Sequence, residues 1–185
     1  PLSLIVPSGM ISKKNRTSTQ ISPAMKKLLA SLFFVFTTLF TYGQQFHVAS
    51  YNVRYANPAD EQRGNGWSQR CPVICNQIAY ESFDLVGMQE VLKSQFDDLS
   101  NRLSRDYGCI GVGRNDGKTS GEYAPIFYKK DRFILLDSGC FWLSETPDKP
   151  SVGWDAKYPR ICSWAQLQDR NTGNTLYFLN THFDH

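Results

Sequence analysis

Apolar and polar residues alternate through Phe46-His47-Val48-Ala49-Ser50-Tyr51-Asn52, the two-residue period of a strand with one face on a core. The segment 58–70, rich in Gly, Asn and charge, predicts a long loop. Pro72, Val73, Ile74, Ile78 and Tyr80 predict a short amphipathic helix with proline in its first turn. A short apolar strand follows at 85–88. Residues 94–103, with Phe96, Leu99 and Leu103 on one face, predict a second helix capped by Ser94. Strands are then expected at 107–112, 124–128, 133–138, 161–167 and 175–180. Turn formers fill 169–174, so the last two strands should make a hairpin. Helices early, hairpins later and no regular strand–helix repeat indicate a mixed α/β sheet with helices packed on it.

The first forty-odd residues stand apart from this pattern. Met25-Lys26-Lys27 and the apolar run 28–40 have the charged start and apolar middle of a secretory signal peptide, and Gly43 suggests cleavage ahead of Gln44. A membrane anchor is the rival, but the run is short and interrupted by Ser and Thr. The expected organisation is a misassigned upstream segment at 1–24, a signal peptide at 25–43 and one folded domain at 44–185. Export to the periplasm or the extracellular space follows from it, with no membrane anchor after cleavage.

Removing that leader changes the charge argument. Lys plus Arg falls from 20 to 15 while Asp plus Glu stays at 17, taking the net charge from +3 to −2. Tight binding along a phosphate backbone relies on clustered Lys and Arg, so long nucleic acid is not favoured as a partner. Five cysteines, an odd number at irregular spacings, read as buried packing residues rather than as a disulfide framework or a zinc site of Cys71, Cys75, His182 and His185.

Three apolar runs deliver polar residues at their ends: Asn52, then Gln89-Glu90, then Asn180-Thr181-His182. A fold that sends several strand ends to one rim builds a site there. A carboxylate fixed at a strand end suits a hard divalent cation such as magnesium, which takes oxygen ligands and often only one or two from protein. Each residue also has an ordinary structural reading: Glu90 as a helix-start acid, His182 as a core or rim histidine and Arg54 as a strand-end ion pair.

Taken together, Ser50-Tyr51-Asn52-Val53-Arg54, Asp84-Leu85-Val86-Gly87-Met88-Gln89-Glu90-Val91, Gly121-Glu122-Tyr123-Ala124-Pro125-Ile126-Phe127-Tyr128 and Asn180-Thr181-His182-Phe183-Asp184-His185 resemble the N-terminal half of the endonuclease/exonuclease/phosphatase superfamily, of DNase I-like fold. The resemblance covers roughly residues 46–185. It is nearest to exported bacterial hydrolases and more distant from deadenylases and sphingomyelinases. It implies a four-layered α/β sandwich, two mixed sheets face to face with helices outside, of which this chain carries roughly the N-terminal half. It also implies magnesium-dependent phosphoester hydrolysis, with manganese as the alternative ion.

Carried over by motif, Glu90 resembles the metal-binding glutamate and Asn52 the asparagine beside it that holds the phosphate or the metal's water. His182 is similar to the histidine on the scissile phosphate, and Glu122 to the carboxylate that hydrogen-bonds it and holds it positive. Arg160 is matched to a phosphate-contacting arginine, and Arg54 is a further candidate for that role. Hydrolysis of a phosphoester needs cationic stabilisation of the transition state and an activated water, which suits this set. The family's Gly-Asp-x-Asn and Ser-Asp-His segments do not occur in the chain. The polypeptide expressed alone is therefore expected neither to hydrolyse phosphoesters nor to fold stably. A non-catalytic module that binds a phosphorylated ligand and an inactive gene fragment are the alternatives. Among substrates, a phosphorylated small molecule, a nucleotide or a lipid headgroup remain open. The sequence shows no extended apolar hairpin for a bilayer and leaves the oligomeric state undetermined. Tyr123, Trp142, Trp154 and Trp164 offer rings for stacking, although aromatics in a sheet protein are more often core.

Overall fold

The computed structural model describes residues 22–39 and 45–184. Contacts divide the chain into Pro1–Gln44 and Gln45–His185. In the first unit, helix α1 (Pro23–Leu39) covers residues 28–39 of the apolar run assigned to a signal peptide, and Phe40 and the expected cleavage point at Gly43 lie outside the described residues. Among the described residues no helix is long and apolar enough to cross a membrane.

The second unit begins with β1 (Val48–Asn52), α2 (Pro58–Gln62), α3 (Trp67–Glu81), β2 (Leu85–Gln89) and α4 (Lys93–Leu103). Five strands follow: β3 (Tyr107–Ile110), β4 (Ile126–Lys129), β5 (Phe133–Trp142), β6 (Ile161–Asp169) and β7 (Thr175–Thr181). One sheet has the order β1-β2-β4-β3 and is mixed, and the other, β5-β6-β7, is antiparallel throughout. The apolar face shared by α3 and α4 (Cys71, Ile74, Cys75, Ile78, Leu99, Leu103) packs on Val86, Met88 and Phe127 of the first sheet. On the sheet's other side Leu85 and Ile126 meet Phe133, Ala165 and Leu167 of the second sheet. Full burial of each such Leu, Ile or Phe contributes about 1.5–3 kcal/mol, which is why β2 is buried along its whole length. Helix, sheet and sheet thus form three of the four expected layers. The outer helical layer against β5-β6-β7 has no counterpart among the described residues.

Several boundaries differ from the sequence expectation. The supposed loop 58–70 holds α2 and the start of α3, because Asn57 Oδ1 accepts from the Ala59 amide at 3.0 Å and Pro58 opens the helix. Pro72 lies inside α3 rather than in its first turn, and Val73 and Tyr80 face solvent while Ile74 and Ile78 face the core. Helix α4 starts one residue early, so Ser94 does not cap it. Its first free amide, Leu92 N, instead donates to the Gln95 side chain at 3.1 Å. Cys71 and Cys75 belong to the helix–sheet core, where burial pushes the Cys75 thiol up to about 12. All five cysteines are free thiols.

The register explains how the site is assembled. Parallel pairing sets Asn52 opposite Gln89, so β1 and β2 end together and Glu90 emerges beside Asn52. Antiparallel β4 starts at that same end, Ile126 facing Gly87, so the preceding Glu122 reaches the rim too. In the second sheet Cys162 faces Thr181, which brings Arg160, just before β6, alongside His182, just after β7. Asn180 joins the two sheets. It is 7 % exposed, and its Nδ2 donates to the carbonyls of Met88 (2.6 Å) and Pro125 (2.9 Å) while its Oδ1 accepts from Gln89 Nε2 (2.8 Å). Gly87 makes room for it, since a Cβ there would sit 2.6 Å from Asn180 Oδ1.

Candidate active site

Glu90 takes a left-handed backbone conformation at φ 60°, and Arg54, past the end of β1, does so at φ 57°. Non-glycine residues adopt this region at a cost of about 1–3 kcal/mol, so the surroundings must hold it. Both bends turn the chain so that its amides and side chains face the Glu90 carboxylate. Its Oε1 accepts from Asn52 Nδ2 at 2.8 Å and its Oε2 from the Tyr55 amide at 3.2 Å. Asn52 is fixed in turn, because its Oδ1 accepts from the Arg54 amide at 2.8 Å.

A cleft of about 410 Å³ opens beside Glu90, lined by Tyr55, Arg114, Glu122, Tyr158, Arg160 and His182. Arg114 Nη1 binds Glu122 Oε2 at 2.8 Å, and its guanidinium lies 5.3 Å over the Tyr158 ring. The second arginine, Arg160, is buried and pairs with Asp184, whose other oxygen accepts from the Lys157 amide at 2.5 Å. Two nitrogens of the cleft wall, Arg114 Nε and His182 Nδ1, are buried without a hydrogen-bond partner among the described residues. Unsatisfied buried polar atoms are costly, and here both belong to residues that line the cleft.

The cleft brings together four of the six residues singled out in the sequence, Glu90, Glu122, Arg160 and His182, with Asn52 behind Glu90. Arg54 is elsewhere. Its guanidinium makes a two-bond pair with Asp60 of α2 at 2.6 and 3.0 Å, so the ion-pair reading replaces the phosphate-contacting one. That pair holds the Asp60 carboxyl below its ordinary range. Glu122 stands 3.9 Å from His182 Nδ1, beyond hydrogen-bond distance, and spends its bond on Arg114. Asn52 presents its NH₂ to Glu90 and its oxygen to a backbone amide, so it orients the carboxylate, and Glu90 is the charged oxygen donor of this pair. Among the described residues no group of three or more His, Cys, Asp or Glu could hold a metal ion. One carboxylate oxygen donor beside an open cleft still fits magnesium, whose coordination shell is commonly completed by water and substrate phosphate. Arg114 and Tyr158 were missed in the sequence, because neither stands at the end of an apolar run.

A solved structure of an endonuclease/exonuclease/phosphatase family protein from Bacteroides thetaiotaomicron matches 75 % of this chain with a TM-score of 0.72 and 51 % sequence identity. The chain belongs to the endonuclease/exonuclease/phosphatase family. A second member of that family architecture, a mannosyl-6-phosphatase from the same bacterium, matches 76 % of the chain at 50 % identity and a TM-score of 0.73. Among curated proteins, an uncharacterized protein of Acanthamoeba polyphaga mimivirus is 28 % identical over 124 residues, which is 64 % of this chain and 46 % of the relative. No protein-family model matches the chain. The chain spans about half the length of these family members: 51 % and 52 % of the two bacterial structures. The DNase I-like architecture expected from the motifs is the one observed.

Proposed function

We propose that residues 45–184 carry the cation- and phosphate-holding part of a magnesium-dependent phosphoester hydrolase, and that its substrate is a phosphorylated sugar. The observation that carries the reading is the Glu90 carboxylate, held at both oxygens by Asn52 and Tyr55 N beside a cleft lined by Arg114, Arg160 and His182. When bound, magnesium supplies positive charge to the phosphoryl group and lowers the pKa of its water. The chain's own residues hold and orient. Glu90 holds the ion, and Asn52 fixes the carboxylate without adding charge. His182, whose side chain is 34 % exposed, lines the same cleft and offers its ring nitrogens to a phosphate oxygen there. Arg114 and Arg160 set the positive side of the cleft, each balanced by one carboxylate.

Support for a sugar comes from the Tyr158 ring in the cleft wall and from the similarity to the mannosyl-6-phosphatase. That ring carries Arg114 at 5.3 Å and Lys157 at 5.4 Å, which sets two cations beside an aromatic side chain in the wall and suits a ligand with an anionic end. The test is turnover of mannose 6-phosphate against bis-p-nitrophenyl phosphate by the full natural protein. The expected kcat/KM ratio is about tenfold or more in favour of the sugar ester, with both activities lost in chelator, and Tyr158→Ala should raise KM about tenfold with little change in kcat. Preference for the diester would replace the sugar reading by a phosphodiesterase. No turnover of either with magnesium would leave the phospholigand-binding module as the better account.

We also propose export directed by residues 25–43, motivated by the charged start and the apolar sequence of α1. Fractionation should then find the mature protein outside the cytoplasm, beginning near Gln44; a cytoplasmic protein retaining Met25 would end that proposal.

A further inference from the structure

We infer that Gln95 is a positioning residue for the cation site, tying together the two chain segments that present Asn52 and Glu90; this rests on the reading of Glu90 as the cation-holding carboxylate. Gln95 sits in the first turn of α4, outside the cleft, and is 0 % exposed. A fully buried primary amide is costly unless its groups are paired, and here both sides are used. Its Oε1 accepts from Ala56 N at 2.9 Å and from Leu92 N at 3.1 Å, and its Nε2 donates to the Arg54 carbonyl at 3.1 Å.

Those three backbone groups flank the site's own contacts. Arg54 N holds Asn52, Tyr55 N holds Glu90, and Ala56 N is the next amide along. Leu92 lies two residues past Glu90. One side chain therefore spans both left-handed bends, at Arg54 and after Glu90, and sets the distance between the Tyr55 amide and the carboxylate it binds. Arg70 of α3 grips the other side of the same segment. It donates to the carbonyls of Val53, Arg54 and Tyr55 and lies 5.6 Å over Trp67. Arg70, however, reaches only the Asn52 side, whereas Gln95 links that side to the Glu90 side. Groups that orient a metal ligand typically change metal affinity by about 10–100-fold when removed.

The probe is manganese binding to the full natural protein, followed by calorimetry or by loss of the free-ion electron paramagnetic signal, together with the thermal midpoint of the ion-free protein. Gln95→Met keeps the volume and removes all three bonds, and it should weaken manganese binding about tenfold or more. Gln95→Glu keeps both acceptor contacts and loses the donor, so its dissociation constant should fall between those of Gln95→Met and wild type. Leu99→Ala, in the same helix and fully buried, should lower the midpoint while leaving the dissociation constant within about twofold. Wild-type affinity in Gln95→Met, or losses in all three variants that simply follow the midpoint, would overturn the positioning role. If wild type binds manganese no more tightly than Glu90→Gln, the cation-site reading itself fails and the inference falls with it.

Discussion

Replacing Glu90 by glutamine in the full natural protein is expected to lower kcat/KM at saturating magnesium by about 10³-fold, while changing stability by about 1 kcal/mol or less. The volume is unchanged, so the effect reports charge and hydrogen bonding rather than packing. A carboxylate oxygen is a charged ligand for a hard cation and an amide oxygen is a neutral one. Losing a metal's electrostatic contribution to a phosphoryl transition state removes several kcal/mol, and about 4 kcal/mol corresponds to that factor. The amide also cannot accept at both ends. Asn52 Nδ2 and Tyr55 N both donate to Glu90, so one of them would meet an NH₂ group. Glu90→Asp keeps the charge but retracts it by one methylene from the Tyr55 amide, and an intermediate loss of about 10–100-fold is expected. Magnesium titrations of rate, with thermal midpoints alongside, separate the two effects. Activity of Glu90→Gln within tenfold of wild type would remove Glu90 from the site.

The residues legible in the sequence were those whose position follows from a strand's end. Asn52, Glu90 and His182 each close or follow an apolar run, and register alone carries them to one rim. Arg114 gave no such signal. It lies in the turn between β3 and β4, and only folding of that turn, with Arg114 N donating to the Glu122 carbonyl at 3.1 Å, sets its guanidinium on Glu122. The open choice between an ion pair and a phosphate contact for Arg54 and the missed helix α2 have one origin. Reading 58–70 as loop hid the helix that buries Asp60, and without a fixed Asp60 nothing in the sequence says where Arg54 turns. Asn57-Pro58 was the available signal, an N-cap followed by proline. Gln95 had a signal as well. It stands three residues after Leu92, where a Gln or Glu side chain reaches back to the first free amide of a helix.

Asn180→Ala in the full natural protein is expected to cost about 3 kcal/mol of stability in urea unfolding and to depress kcat as well. The substitution removes three hydrogen bonds between the sheets and takes the Asn180 donor from the Met88 and Pro125 carbonyls in a buried site, where an unsatisfied group costs about 1–3 kcal/mol, while Gln89 Nε2 keeps Ser50 Oγ and the Gly87 carbonyl. It also leaves a void against Gly87. That void gives a sharper test than the single variant. Gly87→Ala alone should destabilise, because its Cβ would meet Asn180 Oδ1 at 2.6 Å, whereas in Asn180→Ala the same methyl enters the space vacated. The double variant should therefore be more stable than the sum of the two losses predicts, by about 1–2 kcal/mol. Additive losses would mean that the two sheets do not meet through this pair. The catalytic part of the effect follows from the same contact. Asn180 precedes His182 by two residues and binds Gln89, the neighbour of Glu90, so it sets how far the histidine of one sheet stands from the carboxylate of the other. A loosened junction should lower kcat while manganese binding stays near wild type, since both segments that hold Glu90 belong to the first sheet and its helices.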